Sequence, residues 1–182
     1  HVSSLPDDRR RTLERFRDLI HENDVIVTSG GISMGEYDFI GEAMEELGVH
    51  VLFHKVWQKP GKPLTFGESG GTLFFALPGN VVSSMVNFEV YVRPALLGMR
   101  GLKDVERLTR TLPAGEPFPA TDRRTFFFRG RYVLEEDRRR VVPVGTGQGS
   151  HIMTSLSEAD CLVEIPSHTE VEVGDSVHTI DL

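Results

Sequence analysis

Near Leu102 the hydrophobic pattern of the chain changes character, and this break limits the fold more than any other feature of the sequence. Before it, apolar residues follow helical and strand spacing in alternation. Leu13, Phe16, Leu19 and Ile20 recur at helical spacing between Pro6 and Asn23, with Ser4 or Asp7 available as the cap. Asp24 to Thr28 is a short continuous apolar run, the pattern of a strand buried on both faces. A glycine-rich loop follows it. Ile40, Ala43, Met44 and Leu47 then mark a second helix stopped by Gly48, and Val49 to Val56 reads as another strand. Leu64–Phe66 and Thr72–Leu77 read as a hairpin around Gly67 to Gly71, and a long helix runs from Val81 to Met99 with Pro94 kinking its last turns. Beyond the break the helical signal fades. Short alternating runs at 107–112, 125–134, 141–144, 160–165 and 171–180 predict a small β-barrel or sandwich. The expected organisation is an α/β, doubly wound domain over residues 1–102 and a C-terminal β-barrel domain over 103–182.

Composition narrows the function classes. With 39% apolar and 26% charged residues the chain reads as a soluble globular protein. No stretch reaches the roughly 20 apolar residues that span a bilayer, and the start lacks the layout of a secretory signal, so a cytoplasmic protein without membrane contact is expected. The formal net charge of −7 argues against a general nucleic-acid binder, which needs a positive field to neutralise phosphates. The basic runs Arg9–Arg11 and Arg138–Arg140 read as solvated faces. Cys161, the one cysteine, excludes an internal disulfide or a thiolate metal cluster.

Three irregular loops follow strands of the first domain, and in an open α/β sheet the carboxyl ends of strands are where ligands bind. The first is 28–35, where Gly30, Gly31 and Gly35 permit backbone N–H groups to approach an anion and Ser29 and Ser33 add hydroxyls. Asp38, just beyond it, reads either as a helix-terminus complement or as a hard oxygen ligand for Mg²⁺ bridging a phosphate. The second, 55–63, sets Lys55, Lys59 and Lys62 among Pro60 and Pro63; compact cations on a stiff loop suit tetrahedral oxyanions. The third is Leu77-Pro78-Gly79-Asn80, with Asn80 a natural cap for the helix that carries Ser83 and Ser84. In the second domain Arg129 follows the aromatic run Phe126–Phe128, which reads as core, and Ser150-His151 follows a glycine-spaced stretch. His151 reads as a structural histidine, and none of the seven histidines has metal-site spacing. No Ser-His-Asp or Cys-His arrangement is present, and Met34, Met44, Met85 and Met99 read as packing.

Taken in order, TSGGISMGEYD (28–38), KPGKPLTF (59–66) and ALPGNVVS (76–83), followed by RTFFFRG (124–130) and GSHIMTS (149–155), resemble the molybdopterin molybdenumtransferase family, which includes the E domain of gephyrin. The resemblance covers essentially the whole chain and implies a molybdopterin-binding α/β domain, with its N-terminal part missing, followed by a small β-barrel. It implies insertion of molybdate into adenylylated molybdopterin with release of AMP. Carried over by position, Gly30, Gly31, Ser33, Gly35, Gly79 and Asn80 match the pterin and phosphate cradle. Asp38 matches the essential acidic residue associated with Mg²⁺ and pyrophosphate cleavage, and Lys55 and Lys59 match functional lysines. Lys59, Lys62, Pro63, Ser83, Arg129 and Ser150 match the molybdate pocket. The family motif continues PGNP, whereas Val81 follows Asn80 here. The same resemblance implies a homodimer and contact with molybdopterin adenylyltransferase and molybdoenzymes. It places the chain in the C-terminal part of a longer protein, so these residues alone are expected to turn over weakly or not at all. The competing reading is a non-catalytic scaffold of the gephyrin E-domain type binding a peptide partner. A stand-alone molybdopterin adenylyltransferase is disfavoured by the appended β-rich domain and the KPGKP loop. Molybdate and tungstate, both tetrahedral dianions, are not distinguished.

Overall fold

A computed structural model describes residues 2, 4, 8–31, 39–120, 123–145, 148–149 and 153–182. The chain falls into two compact units, one formed by His1–Val56 with Gly61–Asn87, the other by Trp57–Pro60 with Phe88–Leu182.

The first unit opens with helix α1 (Arg9–Glu22), capped by Asp8, whose Oδ1 accepts from Arg11 N at 2.8 Å. The cap is thus Asp8 and not Ser4 or Asp7, because the helix begins at Arg9. Strand β1 (Val25–Ser29), helix α2 (Phe39–Glu46) and strand β2 (His50–His54) follow. A two-residue strand, β3 (Gln58–Lys59), belongs to the second unit; β4 (Thr65–Ser69), β5 (Thr72–Leu77) and helix α3 (Val81–Asn87) complete the first. The sheet runs β1-β5-β4-β2, with β1 and β5 parallel and the other pairs antiparallel. β4 and β5 form the expected hairpin, turning at Gly70 and Gly71, both at positive φ as a tight two-residue turn requires. Phe16, Ile26, Ile40, Met44, Val49, Phe74 and Ala76 form the core, so the apolar stripe of α1 and that of α2 close on the buried residues of β1 and β5. Arg9 pairs with Glu42 and Glu46 at 2.8 and 2.7 Å, an exposed tie between α1 and α2 that solvent screens.

In the second unit, a π-helical segment at Phe88–Val92 leads into α4 (Arg93–Met99). The kink expected from Pro94 takes this form: proline has no N–H and its ring crowds the preceding turn, and the widened segment ends where Pro94 enters the first turn of α4. Then come β6 (Thr109–Pro113), β7 (Thr125–Glu135), β8 (Arg138–Pro143), a short α5 (Thr154–Ser157), β9 (Cys161–Ile165) and β10 (Ser176–Asp181). The sheet order is β3-β7-β9-β10-β6, with β8 on β7. The strands do not close into the expected barrel. Among the described residues, the link from the end of β6 to β8 is the bridge Ala114–Val141, not a ladder. Phe126, Phe128, Val141, Cys161, Val163 and Ile165 anchor the core. Strand alternation puts Phe126, Phe128 and Gly130 on that face and turns Phe127 and Arg129 to the other. No helix among the described residues is long and apolar enough to cross a membrane.

Two predictions concern this unit. A Cβ on Gly130 would lie 2.6 Å from Val163 Cγ2 and 2.9 Å from Val141 Cγ2. Gly130→Ala is therefore expected to destabilise by about 1–3 kcal/mol through overpacking, read as a lower denaturant midpoint at unchanged slope; an unchanged midpoint contradicts this packing. At the chain end, Asp181 receives bonds from Arg110 at 3.1 and 3.4 Å and from the Tyr132 hydroxyl. Burial alone would raise its pKa, but the bonds from Tyr132 and Arg110 and the Arg110 charge bring it below the ordinary carboxylate value. A depressed carboxylate stabilises the fold above its unfolded pKa, about 3.9, and loses that contribution as pH falls through the folded value. Asp181→Asn should thus lower the melting temperature at pH 7, with the difference shrinking as pH falls below the ordinary carboxylate value. A difference that persists in acid contradicts the charge-based origin.

Candidate functional site

In the first unit, the SGG and PGN loops lie together because β1 and β5 are adjacent parallel strands that end side by side at Ser29 and Leu77. Gly30 and Gly31 adopt positive φ, 89° and 70°, which side chains rarely tolerate. Gly30 N donates to Leu77 O at 3.0 Å, and a Cβ on Gly79 would lie only 3.4 Å from Gly30 Cα. The hydroxyls of Ser29 and Ser84 both donate to Pro78 O, stitching the two loops. Asn80 caps α3, its Oδ1 accepting from Ser83 N at 3.1 Å, and Ser83 is buried. Gly30, Gly31, Gly79 and Asn80 are thus brought together. Ser33, Gly35 and Asp38 lie outside the described residues, as does Ser150.

Lys55, Lys62 and Pro63 also belong to this unit. Lys55 has φ 68°, an uncommon conformation for a non-glycine residue; it is held by Lys55 N donating to Leu64 O at 2.8 Å and Val56 N donating to Lys62 O at 3.0 Å. The fully buried Asn87 donates to Gly61 O at 3.0 Å and pins the same loop, a role its sequence context did not announce.

The second unit contains a cavity of about 360 Å³. Lys59, Arg129 and Gln148 line it, with Phe126–Phe128 and Pro60, Pro117, Pro119 and Pro143 among its other walls. The aromatic run, read from sequence as core, therefore serves both core and cavity. Lys59 reaches this unit because β3 runs parallel to β7, with Lys59 opposite Phe126, and its Nζ sits 5.2 Å from the centre of the Phe126 ring.

Arg129 is 1% exposed. Its Nε donates to Ser155 Oγ at 3.0 Å and its Nη2 to Gly149 O at 3.3 Å, both neutral acceptors. Among the described residues no carboxylate pairs with it or borders the cavity. Burial pushes the guanidinium down to about 10, so it stays charged at neutral pH. A buried cation without a counter-charge is costly, and an anion in the cavity would offset that cost. Ser155, through the guanidinium, and Gln148, through the backbone N and O of Arg129, hold this residue, and sequence reasoning missed both; a glutamine after a glycine-spaced run and a serine in a short helix carry no local signal of that role. Among the described residues no group of three or more His, Cys, Asp or Glu side chains could hold a metal ion.

The family described as the probable molybdopterin binding domain matches residues 1–98. The chain belongs to this family. Beyond its molybdopterin-binding domain, residues 111–182 match the MoeA C-terminal region, domain IV. The molybdopterin molybdenumtransferase of Haemophilus influenzae is 31% identical over 175 residues, 95% of this chain and 43% of that protein. The enzyme of the same name from Staphylococcus aureus is 28% identical over 177 residues, 97% and 41% of the two chains. The molybdopterin biosynthesis MoeA protein of Pyrococcus horikoshii matches with a TM-score of 0.75 at 29% identity, over 96% of this chain and 41% of that one. This member of the molybdopterin-binding family thus spans about two-fifths of the length of the relatives it matches.

Proposed function

We propose that the protein acts in molybdenum cofactor biosynthesis, inserting molybdate into adenylylated molybdopterin with release of AMP. The observation that carries the reading is Arg129: a buried guanidinium without a carboxylate partner among the described residues, lining one cavity with Lys59. Such a cavity favours a small, strongly charged oxyanion, because the apolar surroundings of the buried Arg129 strengthen its attraction and Lys59 adds a second, more exposed cation. The motif resemblance also assigns molybdate roles to Ser150, Lys62, Pro63 and Ser83. Gly30, Gly31 and Gly79, with Ser33, Gly35 and Asn80, are assigned to the phosphates and pterin. Lys55 is assigned to charge neutralisation during cleavage of the pyrophosphate link. Asp38 is assigned to Mg²⁺, which would supply charge neutralisation when bound. The machinery requires no covalent nucleophile from the protein. A cytoplasmic homodimer that contacts molybdopterin adenylyltransferase and molybdoenzymes completes the proposal, on the motif resemblance alone.

Product analysis tests the reaction. Incubated with adenylylated molybdopterin and molybdate, the intact protein should consume the adenylylated pterin and release AMP. Formation of adenylylated pterin from ATP and molybdopterin instead would transfer the protein to the preceding step.

A further inference from the structure

The cavity of the second unit has two cations, and each sits on backbone held by a glutamine carboxamide. Gln148 Oε1 accepts from Arg129 N at 2.8 Å, and its Nε2 donates to Arg129 O at 3.1 Å and Val144 O at 3.0 Å. The side chain thereby continues the pairing of β7 where β8 ends at Pro143, and it holds the segment whose Gly149 carbonyl receives Arg129 Nη2. Gln58 is 2% exposed; its Nε2 donates to Pro60 O at 2.9 Å and its Oε1 accepts from the Tyr91 hydroxyl, so the backbone on either side of Lys59 is fixed.

We propose that Gln148 and Gln58 are positioning residues whose neutrality is part of the site: each fixes the backbone bearing one cation without adding a negative charge. A glutamate has nearly the same shape and could accept the same N–H and O–H bonds. It would lose the amide donors to the carbonyls, and it would place a charge where the oxyanion must compete with it. In a cavity of low dielectric that competition outweighs the loss of one brace. The inference rests on the oxyanion reading of the cavity.

Equilibrium dialysis of the intact protein against molybdate alone, with melting curves for each variant, tests it. Gln148→Met removes the brace but adds no charge, and should weaken binding by up to about tenfold. Gln148→Glu should weaken it by about a hundredfold or more at a comparable melting temperature, and Gln58→Glu should exceed Gln58→Met in the same way. Glutamate variants that bind no worse than the methionine variants, or methionine variants that bind like the unaltered protein, overturn the proposal. Failure of both glutamate variants to fold also overturns it, because neutrality would then serve the fold rather than the ligand. If the unaltered protein binds no molybdate, the reading of the cavity falls and this inference with it.

Discussion

Arg129→Met is expected to weaken molybdate binding roughly 100-fold while changing the melting temperature of the ligand-free protein little. The two halves of this expectation share one cause. In the folded chain the guanidinium is buried, its pKa is pushed down to about 10 by burial, and its acceptors are a hydroxyl and a carbonyl. Methionine removes the cost of the buried charge but leaves Ser155 Oγ and Gly149 O without their donor, and the two effects oppose each other in the ligand-free protein. A bound oxyanion changes the balance by supplying charge-assisted hydrogen bonds to the buried guanidinium. Molybdate should therefore raise the melting temperature of the unaltered protein with concentration and leave that of Arg129→Met almost unmoved. An equal thermal response in both proteins contradicts the assignment.

Lys59→Met should raise the KM for molybdate by about tenfold with kcat nearly unchanged. Its Nζ lies 5.2 Å from the Phe126 ring centre on the short strand β3, and the residue is exposed, so its charge acts on the oxyanion through more solvent than that of Arg129. Methionine keeps an apolar contact with the ring and deletes only the charge. A fall in kcat at constant KM would instead assign Lys59 to cleavage of the pyrophosphate link.

Much of this arrangement was legible in the residues. The apolar run before Ser29 gave a strand, which pairs parallel to β5, but not one buried on both faces: Ile26 is buried while Val27 is exposed; glycine and proline marked the two loops that meet at Gly30 and Gly79. Arg129 was marked by the motif resemblance and not by periodicity; the alternation of β7 turns it to the face opposite the core. Other features depend on long-range pairing that periodicity does not encode. Nothing local shows that Gln58-Lys59 pairs with β7, since two residues are too few for a pattern. Nor does local sequence show that Gln148 supplies a strand's worth of hydrogen bonds from a loop. Barrel closure was over-read for a related reason: strand count and spacing set the number of elements, whereas closure depends on whether the first and last strands form a ladder, and here β6 reaches β8 through an isolated bridge. The cap of α1 missed by one residue against Asp7, the usual uncertainty of helix ends.

The central claim is that the protein couples molybdate insertion to release of AMP. The most direct measurement is AMP released from adenylylated molybdopterin by the intact protein, with and without molybdate, beside its Asp38→Asn form. The account predicts molybdate-dependent release that falls by at least about a hundredfold in Asp38→Asn, while binding of the adenylylated pterin survives. Intact, folded protein that binds the adenylylated pterin but releases no AMP with molybdate present would contradict it and favour a non-catalytic scaffold.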